Sequence, residues 1–268
     1  MKHKAIAAAA LLCMSAFAAS AQTAPPAAVR DLAPSGKLKV AINVVNRVLA
    51  QEGAAGAQPS GITVDLAREL GKRLGVAADL TVFRGAGTVF AAAKSGQWDV
   101  AFFAIEPVRA AEVDFTAPYV IIEGGYAVPK ASPIKAVADV DKPGVRIAVG
   151  TGSAYDLFLT RTLKQAQLMR APAAGGRYLE LFEKEKLDVV AGVKPILAAW
   201  AKDRPDVRML DGRFMEIEQA MGTPKGRGEA GRKYLAAFVE EMKKSGFVAE
   251  AMKRHGKTGE AIVAPPAK

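Results

Sequence analysis

Ile105-Glu106-Pro107-Val108-Arg109-Ala110-Ala111-Glu112-Val113-Asp114-Phe115-Thr116-Ala117-Pro118-Tyr119 follows directly on the apolar run Val100-Ala101-Phe102-Phe103-Ala104. That run reads as a buried strand. Pro107 stands where a first helical turn begins, a position that needs no backbone N–H. Arg109 therefore leaves the chain within one turn of a buried strand's end. A forked, permanently charged donor placed there suits a carboxylate. The other reading is a surface arginine paired with Glu112, its neighbour three residues on.

On both sides of this stretch, strands alternate with helices. Leu38, Val40 and Ile42 alternate with Lys39 and Ala41 as a strand. A long loop over Val44 to Ser60 follows at its C-terminal end, where open α/β sheets bind ligands. Asn43 and Asn46 stand there either as hydrogen-bonders to a ligand or as turn residues. Gly61 to Gly75 reads as an amphipathic helix with Leu66, Leu70 and Leu74 on one face and a terminal glycine. Leu80 to Phe83 is a strand, Gly87 to Ser95 a helix, and Trp98 to Ala104 the strand leading into the quoted motif. Tyr119 to Pro129 reads as a strand with a flexible joint at Gly124-Gly125. Val145, Ile147 and Val149 form a strand that runs into Gly150-Thr151-Gly152-Ser153. Ser153 is placed to cap the next helix. This turn offers backbone N–H groups to an anion, or is an ordinary strand-to-helix turn.

The alternation continues through the strand Asp188-Val189-Val190-Ala191 and an extended Ile217 to Met221, and closes with helices over Gly228 to Lys244 and Phe247 to His255. The expected fold is α/β in two lobes. One takes residues 36–122 and 220–263, the other 126–216, with a hinged cleft between them as the default ligand site. Residues 22–35, rich in Ala and Pro, read as a flexible leader, and the tail from Ala264 as frayed.

Residues 1–21 carry the pattern of an export signal: Lys2 and Lys4, an apolar Ala5 to Ala18, and Ala19-Ser20-Ala21 as a cleavage site. The only cysteine, Cys13, falls inside it, and Leu12 before it argues against lipid attachment. Past that segment one histidine remains, His255. Cys/His metal sites and Ser-His-Asp or Cys-His catalysis are thereby excluded, and no cofactor is expected. The 268-residue chain carries 37 Lys+Arg against 27 Asp+Glu, a formal charge of +10. The basic residues are dispersed and form no nucleic-acid motif. They describe a solvated basic surface that steers anions. A periplasmic monomer is expected.

Several ordered motifs resemble the bacterial extracellular solute-binding proteins of the polar amino-acid uptake family, in the manner of the glutamine-binding protein. Gly61 to Ala67 is similar to the family's G-F-D-V-D-L-A. Lys94 to Val100 is similar to L-x-x-G-x-x-D-V, Pro107 to Tyr119 to T-P-E-R-A…D-F-S-x-P-Y, and Gly150 to Ser153 to the turn before a second-lobe helix. The resemblance implies a type II two-lobed binding protein that serves an ABC permease. It implies Arg109 as the carboxylate grip, completed by Thr151, Gly152 and Ser153. It also marks departures. The carboxylate that clamps a ligand ammonium, five residues past Asp188, is here Val193. The threonine position before the motif is Ala104, and the motif threonine is Glu106. The acidic and aromatic positions after the first strand are Asn43 and Asn46, and a stacking aromatic is Ala86.

The expectation is therefore a protein that captures a small carboxylate, amino-acid-like or another organic acid, and performs no chemistry. Glu106 either holds an amine from a new angle or pairs with Arg109 or a nearby lysine. Lys194 either meets a second carboxylate or faces solvent. Two alternatives stand beside transport. One is an enzyme resembling cyclohexadienyl dehydratases, with Glu106 as general acid. The other is a protein that presents its ligand to a membrane sensor.

Overall fold

A computed structural model describes residues 24–54 and 57–268. The expected export signal, with Cys13, lies outside them. The expected leader is corrected at its centre, because Pro26–Leu32 form helix α1. Proline's fixed φ favours the first turn. Ala28 and Leu32 are buried, and the Asp31 carboxylate accepts a 2.8 Å hydrogen bond from the Gly231 N–H. The partner that orders this segment lies 200 residues away, so local composition does not reveal it.

The chain then runs β1 (Leu38–Asn43), α2 (Ile62–Leu74), β2 (Ala78–Phe83), α3 (Ala86–Ala91), β3 (Val100–Ala104), α4 (Pro107–Ala110) and β4 (Val113–Pro129). It continues through β5 (Arg146–Gly150), α5 (Ala154–Thr162), β6 (Gln167–Ala171), α6 (Arg177–Lys184), β7 (Val189–Val193), α7 (Lys194–Ala201) and β8 (Val207–Met209). It returns along β9 (Met215–Pro224) and closes with α8 (Glu229–Lys244), α9 (Phe247–Arg254) and β10 (Ile262–Val263). Helix α2 buries Ile62, Leu66, Leu70 and Leu74, the stripe its spacing predicts. Gly75 ends it at φ 70°, a left-handed conformation that glycine adopts without strain.

One sheet threads the molecule in the order β2-β1-β3-β9-β4-β7-β5-β6, with β8 and β10 paired to β4. Strand β1 is parallel to β2 and β3, and β5 is parallel to β6 and β7. Between these parallel groups run β4 and β9, antiparallel to each other and to β7 and β3. Strand β4 begins at Val113, six residues before the expected start at Tyr119, because Val113 to Phe115 pair with Gly222 to Pro224. Pro118 has no N–H for the ladder, and the register shifts on either side of it. Gly124 and Gly125 lie within regular pairing opposite Val193 and Gly192. A Cβ on Gly124 would stand 2.7 Å from Met215 Cγ, so this glycine permits close packing where the sequence reading expects a flexible joint. The tail is also corrected: β10 pairs with β4, and the Ala264 N–H donates to the Tyr119 carbonyl at 3.1 Å.

The motif strand is braced from below. Trp98 is fully buried and donates from Nε1 to the Val89 carbonyl at 3.0 Å. Phe103 meets Trp98 edge-on at 6.0 Å and Phe115 at 5.3 Å. These contacts fix the strand end from which α4 and Arg109 depart. No helix among the described residues is long and apolar enough to cross a membrane.

Candidate functional site

Helix α4 is a single turn whose short length aims Arg109 back under β3. Its guanidinium is 1% exposed. Nη1 donates to the Ala104 carbonyl at 2.9 Å, and Nη2 crosses to the Gly152 carbonyl, also at 2.9 Å. The group lies over the Phe103 ring at 5.5 Å. Nε is buried and has no partner. Burial lowers the guanidinium pKa to about 10, against an upward pull from the Glu106 charge, so the group stays protonated at neutral pH. A buried cation with an unpaired N–H is a costly arrangement that a negatively charged acceptor would relieve. The pairing with Glu112 does not form; Lys94 holds that carboxylate at 2.8 Å.

Arg109 lines a cavity of about 70 Å³, room on the order of five waters. Asn43, Asn46, Ala104, Ser153, Val193 and Ala86 line it too. Both asparagines also act as turn residues: Asn43 Oδ1 accepts from the Val45 N–H at 3.2 Å and Asn46 Oδ1 from the Val48 N–H at 3.3 Å. Each keeps its amide NH2 for other partners. Ser153 caps α5, its Oγ accepting from the Asp156 N–H at 3.1 Å. Among the described residues of this lining, Arg109 carries the only charge, and no Asp or Glu is present.

Three groups of residues singled out in the sequence lie outside this lining. Thr151 and Gly152 are absent from the lining, and the protein itself uses their donors. The Thr151 N–H and hydroxyl both donate to the Ala171 carbonyl, at 2.8 and 3.0 Å. The Gly152 N–H donates to Asp156 Oδ2 at 2.8 Å. Arg170 and Thr160 hold the other oxygen of that buried carboxylate. Glu106 is also absent from the lining. It is buried in an ion pair with Arg161 of α5, where a carboxylate out of water finds the counter-charge it needs. Lys194 neither lines the cavity nor faces solvent alone: it holds Glu123 at 2.7 Å, and with Arg213 it keeps that carboxyl below its usual range.

Other lining residues were not singled out in the sequence. Gln219 of β9 is buried with no hydrogen bond from its amide to the described residues. Its signal was there in the period of two, since Gln219 is the one polar residue on the inward row Ile217-Gln219-Met221. Tyr155 and Tyr178 meet at 6.0 Å between ring centres. Burial pushes both hydroxyls above the ordinary tyrosine pKa, most strongly for Tyr155. The two sides of the cleft also touch at backbone level. Gly152, at φ 69°, comes so near Gly87 that a Cβ on it would stand 3.1 Å from the Gly87 Cα.

Comparison with known proteins places this architecture. The solute receptor for L-cysteine of Neisseria gonorrhoeae superposes with a TM-score of 0.73 at 21% identity, covering 89% of this chain and 99% of that one. The cysteine-binding protein of Campylobacter jejuni gives 0.73 at 19% identity, with 88% and 99% covered. An ancestral amino acid-binding protein, described as a precursor of cyclohexadienyl dehydratase, gives 0.69 at 23% identity, with 84% and 98% covered. At these identities the likeness is one of fold, the two-lobed type II periplasmic-binding-protein fold. No curated protein matches the chain in sequence. The family model of the bacterial extracellular solute-binding proteins, family 3, matches residues 39–258, most of the chain, and to that family this protein belongs.

Proposed function

We propose that this protein captures a small organic carboxylate in the cleft between its lobes and delivers it, in the periplasm, to an ABC permease. The observation that carries the reading is Arg109: a buried guanidinium with an unpaired Nε, in a cavity whose described lining holds no acid. A carboxylate would satisfy that donor. An α-ammonium would enter the same cavity with no counter-charge and would lose its hydration uncompensated. Gln219 and the amides of Asn43 and Asn46 supply neutral donors and acceptors around the carboxylate. The ligand is thus better matched by an organic acid than by a zwitterionic amino acid. Cleft closure does the rest, since only differential affinity for the closed state is needed.

The enzyme reading asked Glu106 to act as a general acid. Its carboxylate is turned to Arg161 and away from the cavity, which favours capture over catalysis. A thermal-shift screen of paired ligands tests the proposal, each organic acid against the amino acid of the same skeleton. At one shared concentration, a hundred times the acid's Kd, the acid should stabilise the protein by about 2.7 kcal/mol and its amino counterpart by less. Stronger stabilisation by the amino acids across the pairs overturns it.

A further inference from the structure

The cavity around Arg109 does not end at its own walls. Val45, Ala173, Tyr178 and Ile196 line it and equally line a second, larger space of about 700 Å³. These four residues form the border between the two spaces. The outer one lies between the loop after β1 and the start of α7, with Val48, Pro195 and Trp200 among its walls. The charged groups there largely neutralise each other. Arg84 pairs with Glu52, and Lys257 holds Glu260 at 3.2 Å. Arg47 is left over, so the mouth carries a net positive charge and no unpaired acid. Trp200 is held from behind, edge-on to Phe182 at 5.9 Å and under Arg204 at 4.6 Å. A cationic grip at the bottom, a largely apolar border and a wider space with apolar walls and a charged rim together describe one chemical shape.

Resting on the carboxylate reading above, we infer that the ligand is an amphiphilic monocarboxylate, its head at Arg109 and an aliphatic or aryl-alkyl tail passing between Val45 and Ile196 into the outer chamber. The inner cavity alone would hold only a head group and a few carbons. The tail removes apolar surface from water against Pro195 and Trp200, and each methylene that enters should tighten binding roughly fourfold. A second carboxylate at the far end of the tail would have to be stripped of water among these apolar walls, with only the exposed Arg47 near the mouth to meet it.

Titration calorimetry of the full chain with acetate, butyrate, hexanoate and octanoate tests this, beside 3-phenylpropionate and the dicarboxylate suberate. Affinity is expected to climb by roughly fourfold per methylene until the chamber is filled, with suberate weaker than octanoate. Equal affinity across the series overturns the tail site while leaving the Arg109 grip intact. Suberate binding more tightly than octanoate overturns it in favour of a diacid. No binding by any acid overturns both this inference and the carboxylate reading beneath it. Trp200→Ala should lower the octanoate-to-acetate affinity ratio about tenfold; an unchanged ratio places the tail elsewhere.

Discussion

The two walls of the cleft are built from the same kind of turn, a buried strand passing into a helix, yet they present opposite chemistry. After β3 the chain offers Arg109, a buried cation with a donor left over. After β5 the turn offers the cavity the Ser153 hydroxyl and no charge. Thr151 has both donors on Ala171, and Gly152 has its N–H on Asp156. The carboxylate of Asp156 occupies the helix end, where an outside anion would otherwise sit. What the second wall contributes is Ser153, Tyr155 and Tyr178 beside a border of aliphatic carbons. The difference teaches that a motif's backbone can be retained while its hydrogen-bonding capacity is turned inward. On the proposed carboxylate reading the grip would be one-sided, and selectivity would pass to shape.

Breaking the charged wall should have the largest effect. Arg109→Ala should weaken binding of any carboxylate roughly 100- to 1,000-fold, the loss of the charge-assisted hydrogen bond at Nε together with the buried positive charge. Calorimetry that finds unchanged affinity would remove Arg109 from the site. The quiet wall should answer in stability. Asp156→Ala leaves the Gly152 N–H and Arg170 without their acceptor and should cost about 2 kcal/mol in urea unfolding, moderated because Arg170 is half exposed. A third substitution would sharpen the contrast by adding an acid: Val193→Asp should shift preference from an organic acid toward the matching amino acid by about tenfold in the ratio of their Kd values. If that ratio does not move, Val193 does not face the ligand's α-carbon. The smallest effect is expected between the walls. Glu106→Gln removes the ion pair to Arg161 and should weaken ligand binding about fivefold by favouring the open form. Small-angle scattering of the unliganded variant should show a larger radius of gyration than the parent.

Much of the fold was legible because its signals are local. The four-residue spacing in α2, the glycine that ends it and the alternation in β1 each lie within one element. The motif around Arg109 was legible for the same reason, with Pro107 and the strand before it setting the geometry. What escaped depended on distant partners. Helix α1 is ordered by Gly231, Glu106 is claimed by Arg161, and Lys194 by Glu123. The donors of Thr151 and Gly152 looked available because the groups that take them, Ala171 and Asp156, are identified only once the chain has folded. Gln219 was overlooked although its position in the alternation marks it as an inward polar residue.

The ribbon of β4 and β9 has a mechanical consequence. Ile121, Ile122, Glu123 and Gly124 stay in unbroken register with Glu218, Ile217, Glu216 and Met215 as the chain passes from one lobe to the other. Two hydrogen-bonded strands resist stretching and in-plane shear but yield easily to torsion, since twist is the soft coordinate of a narrow sheet. Ile122 and Glu123 are the part of this crossing paired with β9 alone, since Ile121 also pairs with β10 and Gly124 with β7, so a turn between the lobes is expected to centre there. A turn about this ribbon would carry Arg109 away from the Gly152 carbonyl that its Nη2 meets at 2.9 Å, so that this one hydrogen bond marks the angle between the two walls.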